Sequence, residues 1–215
     1  MVPIFMADRA IVFIDGNNWY HSLKDCGVAR LGDLSYSKIS EKLVGPARQW
    51  LATRYYIGRV NQGAEPVMYA AQRRFLSALE KDSRITAHFG RLEPHRVKNE
   101  LSIKLLEYLA NISQPLDPVV RRELKFLAQQ HAQETIVSEK AVDVKIAVDM
   151  VVMAERDEYD CAYLLTADGD FTPAVEAIRA TGKRVYAASP GKGAQLAASV
   201  NTYIPLKRAW FDDCF

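Results

Sequence analysis

Four aspartates stand where short apolar runs end or a helix begins. Asp15 closes residues 10–15 (AIVFID). Asp168 and Asp170 follow a second apolar run, residues 160–166 (DCAYLLT), within 166–171 (TADGDF). Asp143 lies in the first turn of a helix that the periodicity predicts over 141–156. Carboxylates gathered without matching cations repel one another. A hard cation relieves that repulsion, and a set of oxygen ligands suits Mg²⁺ or Mn²⁺. A cation so held acts as a Lewis acid and lowers the pKa of bound water.

Each acid also has a purely structural explanation. Asp143 in a first helical turn is favourable with the helix dipole and needs no metal. Asp170 can cap the helix that follows it. The pair Asp15-Gly16 can simply end a strand in a turn. What sets the group apart is the repetition: two apolar runs end near an acid, and a helix carries a third acid at its start.

The elements that must position these acids alternate. Residues 10–15, 50–57, 84–90, 160–166, 183–188 and 203–206 read as strands. Helices are predicted over 18–25, 37–43, 66–81, 141–156, 171–181 and 191–200. Pro66 suits a first helical turn, and Met68, Ala71, Phe75 and Leu79 recur at helical spacing. Strands alternating with helices imply an α/β fold, a mostly parallel sheet with helices on both faces. In such a sheet ligands bind beyond the carboxyl ends of the strands, where strand order reverses. If the strands at 10–15 and 160–166 are central neighbours, Asp15 meets Asp168 and Asp170 there. The helix at 141–156 precedes the second of these strands and runs antiparallel to it, so its first turn, with Asp143, falls at the same edge.

Residues 91–139 interrupt the alternation. Helical periodicity over 99–112 and 118–132, with a turn at 113–118 (SQPLDP), predicts a helical insertion in a single domain spanning 1–215. Its apolar stripe, including Leu105, Leu109, Leu124 and Leu127, must be buried somewhere. It can pack on its own domain, form a homodimer surface or gate a substrate.

The chain has 215 residues, enough for one α/β domain with extra elements. No run approaches the ~20 apolar residues of a membrane span, so no membrane partner is expected. The first ten residues lack the pattern of a signal peptide. Cys26, Cys161 and Cys214 are odd in number and show no CxxC spacing, which argues for a reducing, cytoplasmic setting and against a zinc site. The net charge of +2 does not announce a polyanion binder. Basic residues nevertheless crowd the first half, among them Arg48, Arg54, Arg59, Arg73, Arg74 and Arg84. They form either an ordinary solvated surface or a basic patch beside the acids.

In their order and spacing, residues 13–18 (FIDGNN), 140–144 (KAVDV) with Asp149 beyond, 165–171 (LTADGDF) and 183–186 (KRVY) resemble the NYN family, in the LabA-like branch of the PIN-like nuclease superfamily. The resemblance covers most of the chain outside 91–139. It implies a PIN-like Rossmannoid sheet and a metal-dependent endoribonuclease that uses Mg²⁺ or Mn²⁺ and acts on RNA. Asp15, Asp143, Asp168 and Asp170 fall on the family's acidic positions, and Asn18 on the polar position three residues after the first acid. Asp149 matches a further recurrent acid. It lies six residues after Asp143, about 240° around the helix, so the two cannot point straight into one small pocket. Thr166 stands where the family often has Ser and keeps a hydroxyl. Asn201 stands where a late Asp is common.

On this expectation Asp15 and Asp168 hold metal, Asp143 and Asp170 complete the shell or hold a second ion, and Asn18 orients water or phosphate. Lys140, Lys145 and Arg73 are candidates for phosphate contacts, and ordinary solvated side chains otherwise. Two rival readings remain open at this point. One is a non-catalytic RNA-binding or regulatory module of the same fold. The other is an Asp-nucleophile phosphatase, which fits poorly because Asn17 stands where an Asp-x-Asp opening needs its second acid.

Overall fold

The computed structural model describes residues 7–63, 65–113 and 116–215; for 91–97 and 134–140 it describes the backbone alone. The chain divides into two compact units: Met1–Arg91 with Lys140–Phe215, and Leu92–Glu139.

The larger unit holds six strands: β1 (Asp8–Asp15), β2 (Arg48–Ile57), β3 (Ile85–Phe89), β6 (Cys161–Leu165), β7 (Arg184–Ser189) and β8 (Thr202–Pro205), with β4 (Arg91–Lys98) and β5 (Gln133–Lys140) intervening in chain order. The six form one sheet in the order β3-β2-β1-β6-β7-β8, and every pairing is parallel. The chain builds outward from β1 on one side and from β6 on the other. The order therefore reverses between β1 and β6, which pair from Ala10–Cys161 to Ile14–Leu165.

β1 shows why the sheet needs helices on both faces. Its residues alternate between two separate cores. Ala10, Val12 and Ile14 pack with Trp19, Leu23, Ile39, Leu43, Leu76 and Leu79. These come from α1 (Gly16–Asp25), α2 (Tyr36–Val44) and α3 (Pro66–Leu79). Ile11 and Phe13 pack with Val142, Ile146, Met150, Val175, Ile178 and Leu196. These belong to α6 (Val142–Glu155), α7 (Thr172–Ala180) and α8 (Ala194–Ser199). A strand buried on both faces has no polar side to show, hence the unbroken apolar run.

The smaller unit contains α4 (Glu100–Asn111) and α5 (Pro118–His131), which pack together, while β4 and β5 pair with each other. Asn99 and Asp117 cap the two helices through their side chains. Of the expected stripe, Leu109 is buried, Leu105 and Leu124 are half-buried and Leu127 is exposed. The two strands are absent from the sequence reading. Residues 91–98 (RLEPHRVK) include a proline and several charged or imidazole side chains, and their partner strand lies more than 30 residues on, so neither apolar patterning nor a short turn marks them. Among the described residues, no helix is long and apolar enough to cross a membrane.

Candidate functional site

The turn from β1 into α1 places the first acid. Asp15 is 3% exposed. Its Oδ1 accepts a hydrogen bond from Asn18 N (3.2 Å), which makes it the N-cap of α1. Its Oδ2 accepts from Thr166 Oγ1 (3.1 Å) across the switch point. Thr166 Oγ1 in turn accepts from Asp168 N (3.2 Å). One buried hydroxyl thus joins the ends of β1 and β6.

Asn18 makes the second joint. Its Oδ1 accepts from Ala167 N (3.0 Å) and, more weakly, from Ser22 Oγ (3.5 Å). With two donors aimed at the oxygen, the Asn18 amide nitrogen remains available as a donor. Asp168 opens the next turn by accepting from Asp170 N (2.9 Å), which leaves Asp170 exposed. Asp143 occupies the first turn of α6, and Ala141 before it adopts the left-handed region (φ 69°) that alanine rarely enters.

The acids sense one another. Burial pushes the Asp15 carboxyl up to about 6. The Asn18 amide and the Thr166 hydroxyl oppose the rise, and the charges of Asp143 and Asp168 add to it. Asp143 is also raised, first by burial and then by Asp168 and Asp170. All four predicted acids therefore belong to one electrostatic group. Its donors are oxygens throughout, and its unrelieved repulsion is what a hard divalent cation would remove. In its chemistry the set fits such an ion. Among the described residues, no three acidic, histidine or cysteine side chains close on one point at metal-binding distance.

The remaining candidates lie elsewhere or are otherwise engaged. Asp149 accepts from Tyr56 OH (2.9 Å) and from Arg54 (3.0 Å), and pairs with Lys145 (3.3 Å). Although burial opposes it, these bonds hold Asp149 below the usual carboxylate range. The Lys145 ammonium is thus directed to Asp149, one turn along its own helix. Arg73 is exposed on α3, in an open depression of about 360 Å³ lined also by Arg74, Ser77, Ala78 and Lys81, none of them one of the acids. The side chain of Lys140 lies outside the described residues. Asn201 is a structural joint: its Oδ1 accepts from Val185 N (2.8 Å) and its backbone N–H donates to Val185 O (2.8 Å).

A scan against protein-family models matches the NYN domain over residues 9–207. The chain belongs to the NYN domain family. NYN domains are PIN-like, nuclease-type domains. Among solved structures, the chain is similar to a protein of unknown function from Vibrio parahaemolyticus RIMD 2210633, at 14% identity and a TM-score of 0.53, with 93% of each chain covered. At that identity the likeness shows the fold alone. No curated protein matches the sequence. Within this NYN domain, Thr166 and Ser22 join the group around the acids. The sequence flags Thr166 by its hydroxyl before the acidic turn, whereas Ser22 carries no signal beyond lying one helical turn from Asn18.

Thr166→Val tests the joint between the strand ends. Valine keeps the shape but leaves the Asp168 amide and Asp15 Oδ2 each without a partner. The variant is expected to melt lower, by about 1–3 kcal/mol of stability. The Asp15 carboxyl should titrate still higher, as seen by carboxyl-resolved NMR, while Thr166→Ser restores both properties. A Thr166→Val variant as stable as wild type would show that the hydroxyl joins nothing of consequence.

Proposed function

We propose that this NYN domain is a divalent-metal-dependent endoribonuclease that hydrolyses RNA phosphodiester bonds at the Asp15, Asp143, Asp168 and Asp170 group, with Mg²⁺ or Mn²⁺ as cofactor. The observation that carries the reading is the Asp15 carboxylate at the strand-order reversal, its pKa raised first by burial and further by the charges of Asp143 and Asp168, and tied to both strand ends. Membership of a nuclease-type family supports the reaction class.

The protein's own groups divide the work. Asp15, Asp168, Asp143 and Asp170 are the residues that would hold the ion. When bound, the ion supplies positive charge to a phosphate oxygen and a more acidic water. Thr166 and the Asn18 amide fix both oxygens of Asp15, so that the carboxylate need not reorganise during reaction. The side-chain amide nitrogen of Asn18, which no described residue engages, can donate to water or to a phosphate oxygen. Asp168 caps its own turn by accepting from the Asp170 N–H, and the Asp170 side chain stays exposed.

A closed circle of single-stranded RNA tests this reading, because it has no ends and can only be opened internally. Linear product in Mg²⁺ or Mn²⁺ is the expected result. A circle that stays intact while linear RNA is shortened overturns the endonuclease. RNA that is bound but never cut, circular or linear, replaces it with the non-catalytic module.

A further inference from the structure

The loop after β7 packs so closely on the acidic turn that a side chain there would need its neighbours to give by a few tenths of an ångström. Residues 189–193 (SPGKG) lead into α8. A Cβ on Gly191 would lie 3.2 Å from the Ala167 Cβ and 3.3 Å from Ser22 Oγ; one on Gly193 would lie 3.0 Å from the Ala167 carbonyl oxygen and from the Tyr203 ring. Ala167 is the residue that Asn18 holds, directly before Asp168. Beyond the loop, Gln195 is packed so tightly on the acidic turn that a Cβ on Gly169 would meet its Oε1 at 2.5 Å. The loop is also fastened from within. Gly191 N donates to Ser189 Oγ (2.9 Å), and Tyr203 OH donates to Gly191 O (2.8 Å).

Between these two buttressed glycines stands Lys192. It is exposed, and among the described residues it makes no ion pair, although acids lie on the adjoining turn. Some lysines of the larger unit pair (Lys145 with Asp149, Lys183 with Asp157 and Asp160, Lys42 with Asp213), whereas Lys24, Lys81 and Lys207, like Lys192, make no ion pair among the described residues. What sets Lys192 apart is its place on the loop packed against Ala167. A rigid loop thus presents one unneutralised ammonium beside a group of carboxylates that would otherwise repel a polyanion.

We propose that Lys192 is a substrate-binding residue that contacts a backbone phosphate of the RNA strand on the β6–β7 side of the acidic group. This rests on the ribonuclease reading and adds to it the direction from which the strand is held. The ammonium meets phosphate as a point charge and carries no sequence information. Its contribution is to affinity, and the loop's fastening keeps the ordering cost of the contact small.

The test measures binding of a fluorescent single-stranded RNA to wild type, Lys192→Ala and Lys192→Arg in EDTA over a series of KCl concentrations, with single-turnover cleavage in Mn²⁺ at saturating RNA in parallel. Lys192→Ala is expected to raise Kd about 3- to 10-fold and to reduce the slope of log K against log salt by about 0.7, the value for one single-strand phosphate contact. Lys192→Arg should restore both Kd and slope. An alanine variant with wild-type affinity and slope overturns the proposal while leaving the ribonuclease intact. A variant that loses melting temperature and rate but not affinity overturns it too, since the lysine is then structural. A wild type that binds RNA without cutting it sinks the ribonuclease and still supports the contact if the slope falls. A wild type that does neither overturns both.

Discussion

Asp15→Asn is expected to slow RNA cleavage by on the order of 10²-fold or more while making the metal-free protein more stable. The two effects have one origin. The carboxylate is buried beside Asp143 and Asp168, and its pKa is raised to about 6 from an ordinary value of 3.8. Because the folded-state pKa lies above the unfolded one, the native protein binds the proton more tightly. The contribution of Asp15 to stability in the absence of metal is therefore fully present below pH 4, is lost as pH rises from about 4 to about 6, and is absent above that, while His88, whose pKa burial lowers to about 4, acts in the opposite sense in both proteins. The full shift corresponds to about 3 kcal/mol. Asparagine removes the charge but leaves one oxygen where two were accepting, from Asn18 and from Thr166, so the net gain above pH 6 should be about 1–2 kcal/mol. Thermal melts in EDTA at pH 4 and pH 7.5 measure it: the gain of the variant over wild type should be present at pH 7.5 and absent at pH 4. Single-turnover cleavage measures the other half, the loss of a fixed negative charge facing the cation. A folded Asp15→Asn protein that cleaves at the wild-type rate would remove Asp15 from the chemistry.

Gly16→Ala carries the next largest effect, in stability. A Cβ at Gly16 would lie 2.5 Å from the Tyr56 carbonyl oxygen and 2.7 Å from the Tyr55 ring. The first of these is backbone of β2, paired to β1 at Asp15–Tyr56, and cannot turn aside. Relief requires α1 to move off the sheet, which also moves Asn18 and its hold on Ala167. Overpacking of this kind costs about 2–3 kcal/mol, or roughly 4–12 °C in a chain of this size. Cleavage should fall as well, because Asn18 and the Asp15 cap shift together. A Gly16→Ala variant that melts with the wild type would show that the turn relaxes without consequence.

How much of this was legible beforehand follows from the physics of each part. Residues 10–15 and 160–166 announce central strands because burial on both faces leaves no room for polar side chains, and the pairing of Ile14 with Leu165 makes them neighbours. Asp143 follows from the direction of a helix that must return antiparallel to its strand. The raised pKa of Asp15 follows once those three placements coincide. Asp149 was not legible in the same way: it matches a recurrent acid, yet its partners Tyr56 and Arg54 lie 93 and 95 residues away, and no local pattern predicts that pairing. The same holds for the Gly191–Gly193 loop, whose glycines are explained by what they touch, Ala167 and Tyr203. The strands of the smaller unit escaped because their residues carry neither an apolar run nor a nearby partner.

The most direct measurement of the central claim is the cleavage rate of a labelled single-stranded RNA by protein stripped with EDTA, followed as Mn²⁺ or Mg²⁺ is returned, with Asp168→Asn carried through the same preparation. The account predicts no cleavage in EDTA, a rate that rises and saturates with the returned ion, and a variant at least about 10²-fold slower at saturation. Cleavage that persists in EDTA, or that the variant matches at every ion concentration, would contradict it.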